Sequence, residues 1–334
     1  MQLKPYSVDV HTPILAVKDL EVEYRTGRGA VRAVDGVTFD IWPNEIFGLA
    51  GESGSGKSTI AHTITRLLRP PGYIVGGSIQ FMDIDLMEMD SETLRDFRWR
   101  HISIVSQSAM NALNPVLTIG TQIIDAIQAH EPANKEQARA RALDLLQLVG
   151  IDKERINSYC HQLSGGMRQR AVIAIALALN PELIILDEPT TALDVVVQRQ
   201  IMEEIQALQR QFGFSILYIT HDLSLLVEFA HRIAIMYAGE IVEIAPSDRI
   251  FLSPKHPYTY RLMNSFPAIS GPRQELQSIP GSPPNLISPP SGCRFHPRCE
   301  VAIAGTCQKV EPVFRKVERD HYAACHLLEQ GRSS

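Results

Sequence analysis

The chain has 334 residues, 45% of them hydrophobic and 21% charged, with a formal net charge of −5. That is ordinary globular composition, enough for one large domain with an appendix. The acidic balance gives no long-range attraction to DNA, RNA or anionic lipid, and so argues against a nucleic-acid partner. No stretch approaches the roughly 18 apolar residues of a membrane span. The longest run, Ala171 to Leu179, is cut off by Asn180-Pro181-Glu182. The N-terminal MQLKPYSVDVHTP carries no apolar run behind a basic patch and does not read as a signal peptide. The expectation is a cytosolic chain that meets a membrane only through other proteins.

Residues Ile14 to Tyr24 and Val31 to Ile41 alternate apolar and polar side chains and are expected as strands. Ile46 to Ala50 is a short apolar run entering a Gly-rich loop, and the spacing predicts a helix over Thr59 to Leu68, ended by Arg69-Pro70-Pro71-Gly72. From about Asn111 to Ser158 the chain is rich in Ala, Leu and Gln with interspersed charges, and reads as an inserted helical subdomain. Helix Gly166 to Leu179, strand Leu183 to Leu186, helix Val195 to Phe212 and strand Ile216 to Thr220 follow. This alternation argues for an α/β fold with a mostly parallel sheet covered on both faces. Beyond about Pro246 the chain is proline-rich, with Pro254, Pro257, Pro267, Pro272, Pro280, Pro283, Pro284, Pro289 and Pro290, and regular structure is not expected there.

The loop Gly51 to Thr59, GESGSGKST, fits the phosphate-loop pattern G-x-x-x-x-G-K-[ST] between strand and helix. Its glycines let backbone N–H groups of Ser53, Gly54, Ser55 and Gly56 turn toward phosphate oxygens, with the helix N-terminus adding positive potential. Lys57 is placed for the β and γ phosphates, Ser58 for Mg²⁺, and Thr59 continues the cradle. Leu183 to Leu186 ends in Asp187-Glu188. An Asp there suits the magnesium shell and a Glu suits a general base that polarises water.

Leu163-Ser164-Gly165-Gly166-Met167-Arg168-Gln169-Arg170 resembles the signature of the ABC ATPases. With it come Gln107 after Ile102 to Val105, resembling the Q-loop glutamine, and His221 after Tyr218-Ile219-Thr220, resembling the switch histidine. Ala192-Leu193-Asp194 resembles the D-loop, and Tyr24 the A-loop aromatic that stacks on adenine. These motifs stand in ABC order over residues 14 to 250. The resemblance implies a P-loop ABC ATPase domain at 12–250: a RecA-like core, an antiparallel β subdomain and a helical subdomain at about 111–165, followed by an irregular extension at 251–334. It implies ATP and Mg²⁺, the metal held by Ser58, Gln107 and Asp187, and catalysis by Glu188, His221, Gln107 and Lys57. It also implies a second ATPase subunit, because Ser164, Gly165 and Gly166 serve a phosphate held by the partner's loop, with Asp194 coupling the two sites.

Leu113-Asn114-Pro115 and Lys255-His256-Pro257-Tyr258-Thr259 resemble the LNP and HPYT segments of oligopeptide and dipeptide importer ATPases, and GCRFHPRC completes that likeness. Ser108-Ala109 and Cys160 depart from the pattern, an acidic residue with proline and a proline being common there; sugar and nickel importers of the same branch remain alternatives, as does a soluble non-transport ABC ATPase. The importer reading implies two transmembrane permeases, an extracytoplasmic solute-binding protein, a related chain as the second ATPase, no nucleic acid, and a place on the cytoplasmic face of the inner membrane. Cys293, Cys299, Cys307 and Cys325 are spaced C-x5-C-x7-C-x17-C. Four thiolates suit zinc or an iron–sulfur cluster, and resemblance to some dipeptide importer ATPases implies [4Fe–4S]. Ligation is expected to stabilise a tail with few apolar residues.

Overall fold

The computed structural model describes residues 12–107, 112–190, 193–265 and 279–330. In chain order its elements are β1 (Leu15–Thr26), β2 (Gly29–Ile41), β3 (Ile46–Ala50), α1 (Lys57–Ile64), β4 (Gly72–Phe81), β5 (Ile84–Asp85), α2 (Ser91–Arg100), β6 (Ile102–Val105), α3 (Ile119–Gln128), α4 (Lys135–Leu148), α5 (Gly165–Ala176), β7 (Leu183–Asp187), α6 (Val195–Phe212), β8 (Ser215–Thr220), α7 (Leu223–Phe229), β9 (Arg232–Tyr237), β10 (Glu240–Pro246), α8 (Ser247–Leu252), α9 (Pro257–Asn264), β11 (Arg315–Glu318), β12 (His321–Ala323) and α10 (Leu327–Gln330). They form two compact units, one of Met1–Ile14, Ile41–Glu45 and Leu86–Tyr218, the other of Leu15–Asp40, Ile46–Asp85 and Ile219–Ser334.

The first unit carries the strand order β8-β7-β6, with β6 and β7 parallel from Ile102 opposite Leu183 to Val105 opposite Leu186. Every residue of Leu183–Asp187 is buried, the pattern of a strand covered on both faces. Helix α6 buries Ile201, Met202, Ile205, Leu208 and Gln209, a stripe at helical spacing. Asp194 caps its start, and Gly213 at φ 76° stops it. The stretch expected to be helical holds α3 and α4, which are followed by two short 3₁₀ turns at Lys153–Asn157 and Cys160–Gln162 before α5. A capping box between Asn134 and Gln137 starts α4.

The second unit holds the antiparallel sheet β2-β1-β4-β5 and the strand order β11-β12-β10-β9-β3. Strand β3 runs parallel to β9, from Phe47 opposite Arg232 to Ala50 opposite Ile235. Helix α1 stops at Ile64, four residues before the expected end at Leu68. Thr65 turns its hydroxyl back to the Ala61 carbonyl at 2.9 Å, and Arg66 takes φ 52°. That left-handed residue ends the helix before the prolines are reached.

The extension corrects the expectation of an irregular tail. It contains α9, α10 and the hairpin β11–β12, and β12 adds to β10 with Glu243 opposite Ala323 and Ile244 opposite Tyr322. Proline does not prevent this. Pro257 occupies the first turn of α9, where its missing N–H costs nothing, and β11 and β12 contain no proline. Burial also contributes more than the composition of the tail implied. Tyr258 and Phe295 are buried against Tyr237, with ring centroids 4.6 and 5.2 Å from it. Burying such side chains contributes about 1.5–3 kcal/mol each.

Two buried polar anchors reinforce the attachment. Glu243 and His321, both 0% exposed, pair at 2.7 Å, and Glu243 also accepts the N–H groups of Lys255 and His256 at 2.7 and 2.9 Å. Arg294 donates to the Ala238 carbonyl at 2.6 Å and pairs with Glu240 at 2.8 Å and with Asp35. His256 caps α9, accepting the Tyr258 N–H at 3.0 Å. Burial holds its pKa down at about 4, against a smaller upward pull from Glu243. As pH falls from 6.5 toward 4, the unfolded chain takes up a proton that the folded chain refuses. Stability is therefore fully present above 6.5 and falls below it, by at most ~1.4 kcal/mol per pH unit from this group. Denaturant melts across this range should show a shallower pH slope for His256→Asn, which keeps a cap but does not titrate. An unchanged slope would contradict the assignment.

Candidate functional site

In the second unit the loop Gly51–Gly56 joins the buried strand β3 to α1. Two of its glycines are required by space as well as by dihedral angle. A Cβ on Gly51, at φ 155°, would lie 2.1 Å from the Met236 carbonyl oxygen, and one on Gly56, at φ 109°, 2.1 Å from that of Ala33. The loop is thus pressed against β9 and β2, and its turn is closed by the Ser55 N–H donating to the Glu52 carbonyl at 3.2 Å. Helix α1 has Gly56 as its N-cap with no side-chain cap, so the N–H groups of its first turn supply the positive end of the helix.

Lys57 is 5% exposed, and its Nζ donates to the carbonyls of Gly51 and Glu52 at 2.8 and 2.9 Å. The ammonium is thereby held across the loop. Ser58 follows as the second residue of α1, and Thr59 is buried. Tyr24, half-buried at the end of β1, brings its hydroxyl to 3.3 Å from that of Thr59, so its ring stands beside α1. His221 is exposed just beyond β8, where Asp222 caps α7 by accepting the N–H groups of Ser224 and Leu225 at 2.9 and 3.3 Å.

In the first unit Asp187 is completely buried at the end of β7, and Glu188 follows at φ 47°. A non-glycine residue in that region is strained, and such strain collects at functional positions. The Glu188 carboxylate accepts a hydrogen bond from Gln107 Nε2 at 2.9 Å, so the expected base and the expected Q-loop residue meet across the ends of β7 and β6. Ser164 is exposed and caps α5, accepting the Met167 N–H at 3.3 Å. Gly165 and Gly166 form the first turn of that helix. Asp194 accepts the Val197 N–H at 3.0 Å. Ala192 of the D-loop segment and Ser108 to Asn111, before Leu113-Asn114-Pro115, lie outside the described residues.

The four clustered cysteines are free thiols. Burial, the largest cause, pushes Cys293 up to about 12 and Cys325 up to about 11, and also raises Cys299; the nearby thiols push the same way. Opposing this, a backbone N–H two residues on donates to each of these sulfurs: Phe295 to Cys293, Val301 to Cys299 and Leu327 to Cys325. Cys307 Sγ accepts the Ile303 N–H at 3.3 Å. Backbone donors aimed at sulfur stabilise thiolates, the form in which cysteine binds metal, so the donor set fits a thiolate-ligated group. Among the described residues no three His, Cys, Asp or Glu side chains are arranged to hold a metal ion as they stand. No helix among them is long and apolar enough to cross a membrane.

Glu52, Tyr258 and Arg298 lie inside the GESGSGKST, HPYT and GCRFHPRC segments, but those segments alone do not show that the three meet. The last two reach the phosphate loop from 206 and 246 residues away, which no local pattern reveals.

Residues 34–191 match the ABC transporter family, and residues 242–307 match the oligopeptide/dipeptide transporter C-terminal region. The chain is 44% identical over 321 residues to the oligopeptide transport ATP-binding protein OppD of Bacillus subtilis, covering 95% of this chain and 89% of the relative. It is 40% identical over 321 residues to the dipeptide transport ATP-binding protein DppD of Caldanaerobacter subterraneus, covering 96% and 98%. Its fold is similar to that of the dimeric ATP-binding cassette MJ0796 in a post-hydrolysis state bound to ADP and Pi, with a TM-score of 0.63 and 30% identity, covering 70% of this chain and 98% of that one. A buried strand leading into a phosphate loop, a strained glutamate bonded to a glutamine and a signature helix capped by an exposed serine thus sit in a chain that belongs to the ABC transporter family, among the ATP-binding proteins that carry the oligopeptide/dipeptide C-terminal region.

Proposed function

We propose that this chain is the ATP-hydrolysing subunit of an importer for dipeptides or oligopeptides. The observation that carries the mechanism is the Gln107–Glu188 hydrogen bond at the ends of β6 and β7. In this reading Ser53 to Thr59 and the α1 N-terminus bind the phosphates, and Lys57 meets the β and γ oxygens. Tyr24 takes the adenine. Ser58, Gln107 and Asp187 hold Mg²⁺, which supplies charge neutralisation when bound. Glu188 accepts the proton of the attacking water, Gln107 orients that carboxylate, and His221 contacts the γ-phosphate.

Ser164, exposed on a helix N-terminus, faces outward for a nucleotide on another subunit, as does its neighbour Gly166, with Asp194 linking the two sites. The second ATPase is a related chain, the pair docks on two permease subunits at the cytoplasmic face of the inner membrane, and an extracytoplasmic binding protein delivers the solute. The relatives named for oligopeptide and dipeptide transport favour peptides over a sugar or nickel. The ATPase domain occupies 12–250 and the extension 251–334. Cys293, Cys299, Cys307 and Cys325 hold a [4Fe–4S] cluster, a reading supported by the four backbone N–H donors on their sulfurs.

Purification of the tagged chain from its native host, anaerobically and in mild detergent, tests both parts. Two permeases, a second ATPase, and iron with sulfide should accompany it. Recovery without any membrane subunit would overturn the importer assignment, and iron-free protein would overturn the cluster.

A further inference from the structure

Glu52 fills an open position of the phosphate-loop pattern, and the extension grips it from two directions. Arg298 makes a two-pronged ion pair with its carboxylate, Nη1 donating to Oε2 at 2.6 Å and Nη2 to Oε1 at 2.9 Å. The Arg298 side chain is 6% exposed. Its Nε donates to the Pro280 carbonyl at 2.7 Å, and the guanidinium lies over the Tyr237 ring at 5.8 Å. The backbone N–H of Glu52 donates to the Tyr258 hydroxyl at 2.9 Å. Tyr258 is itself 0% exposed, wedged between Tyr237 and Phe295 at centroid distances of 4.6 and 5.3 Å. The carbonyl of Glu52 accepts Lys57 Nζ at 2.9 Å and the Ser55 N–H at 3.2 Å.

One loop residue is therefore held through its side chain, its N–H and its carbonyl, and the first two holds come from the extension. A buried Arg–carboxylate fork is costly to desolvate and is favourable only when its geometry is matched. Attachment of the extension does not require it at this place, because the Arg294 and Glu243 anchors bond to residues outside the loop. Pro283, Pro284 and Leu286 of the extension line a small pocket with Glu52 to Ser55, so the coil follows the same loop.

We propose that Arg298 and Tyr258 are positioning residues of the nucleotide site: by holding Glu52 they set the turn whose backbone N–H groups receive the phosphates, and the extension thereby sets the ATP affinity of its own subunit. The proposal rests on the phosphate-loop reading above. Its test is the equilibrium Kd of the full-length chain for ATP, with the melting temperature of the nucleotide-free protein measured in parallel.

Arg298→Lys keeps the charge and loses the fork, and Glu52→Gln loses the pair from the loop side. Each should raise Kd about tenfold, and the double variant should be no weaker than either single one. Tyr258→Phe keeps the buried ring, removes only the acceptor, and should raise Kd several-fold even where Arg298→Lys does not fold. Folded variants with a lowered melting temperature and a wild-type Kd would overturn the proposal, leaving the contact purely structural. Lys57→Ala separates the two levels. If it binds ATP normally, the phosphate-loop reading itself fails; if it loses ATP while the Glu52, Arg298 and Tyr258 variants bind as wild type does, only the positioning role fails.

Discussion

Replacing Glu188 by Gln should leave ATP binding intact and slow hydrolysis by roughly 10²–10⁴-fold, the usual contribution of a positioned general base. The substitution preserves the shape of the side chain and its ability to accept the hydrogen bond that Gln107 donates at 2.9 Å. What it removes is the basicity needed to take a proton from water. Because ATP then binds without turning over, the closed pair of subunits should accumulate, visible as a shift to the dimer in size-exclusion chromatography with ATP and Mg²⁺. Glu188 stands at φ 47°, so a second consequence follows. Glu188→Gly should relieve the backbone strain and raise thermal stability while still abolishing hydrolysis. Turnover at the wild-type rate in Glu188→Gln would remove Glu188 from the base role.

The second large effect concerns the signature helix. Ser164→Arg should reduce hydrolysis to background, because a bulky cation replaces the hydroxyl that caps α5 and opens its N-terminus to a phosphate. The informative version is a mixture. If the chain can pair with itself, Ser164→Arg and Lys57→Ala are each inactive alone, yet a mixed dimer keeps one site with both an intact phosphate loop and an intact signature. Activity should then return to part of the wild-type rate on mixing. If the chain pairs only with a related subunit, Ser164→Arg should instead silence the partner's phosphate loop within the purified transporter. Full activity of Ser164→Arg in both settings would show that the signature does not complete a site across subunits.

Local chemistry made much of this legible in advance. Ile46 to Ala50 and Leu183 to Leu186 announce buried strands because they are short, apolar and bounded by turn or acidic residues. The phosphate loop announces itself because a backbone that must curl around phosphate requires glycine at particular positions, and Gly51 and Gly56 have no room for a Cβ. Helix Val195 to Phe212 was read with its observed bounds, since it has a capping aspartate before it and glycine after it. The end of α1 was not legible, because it depends on Arg66 adopting a left-handed conformation that its side chain does not advertise. The extension was misjudged for a related reason. Proline content reports which N–H groups are missing, but not whether the native backbone needed them.

The parts whose physics is local can be read along the chain: many of the strands and helices, the position of the glycine-rich loop and its lysine, and the acids and signature that follow them. Features that depend on contacts between distant segments emerge only once the chain is folded. Folding brought Gln107 onto Glu188, laid β12 of the extension along β10, and set Arg298 and Tyr258 on Glu52. Those pairings join residues 78 to 246 positions apart, from Ile244 with Tyr322 to Glu52 with Arg298. They arise from burial and charge matching in three dimensions; the motifs contain several of these residues without showing the contacts between them.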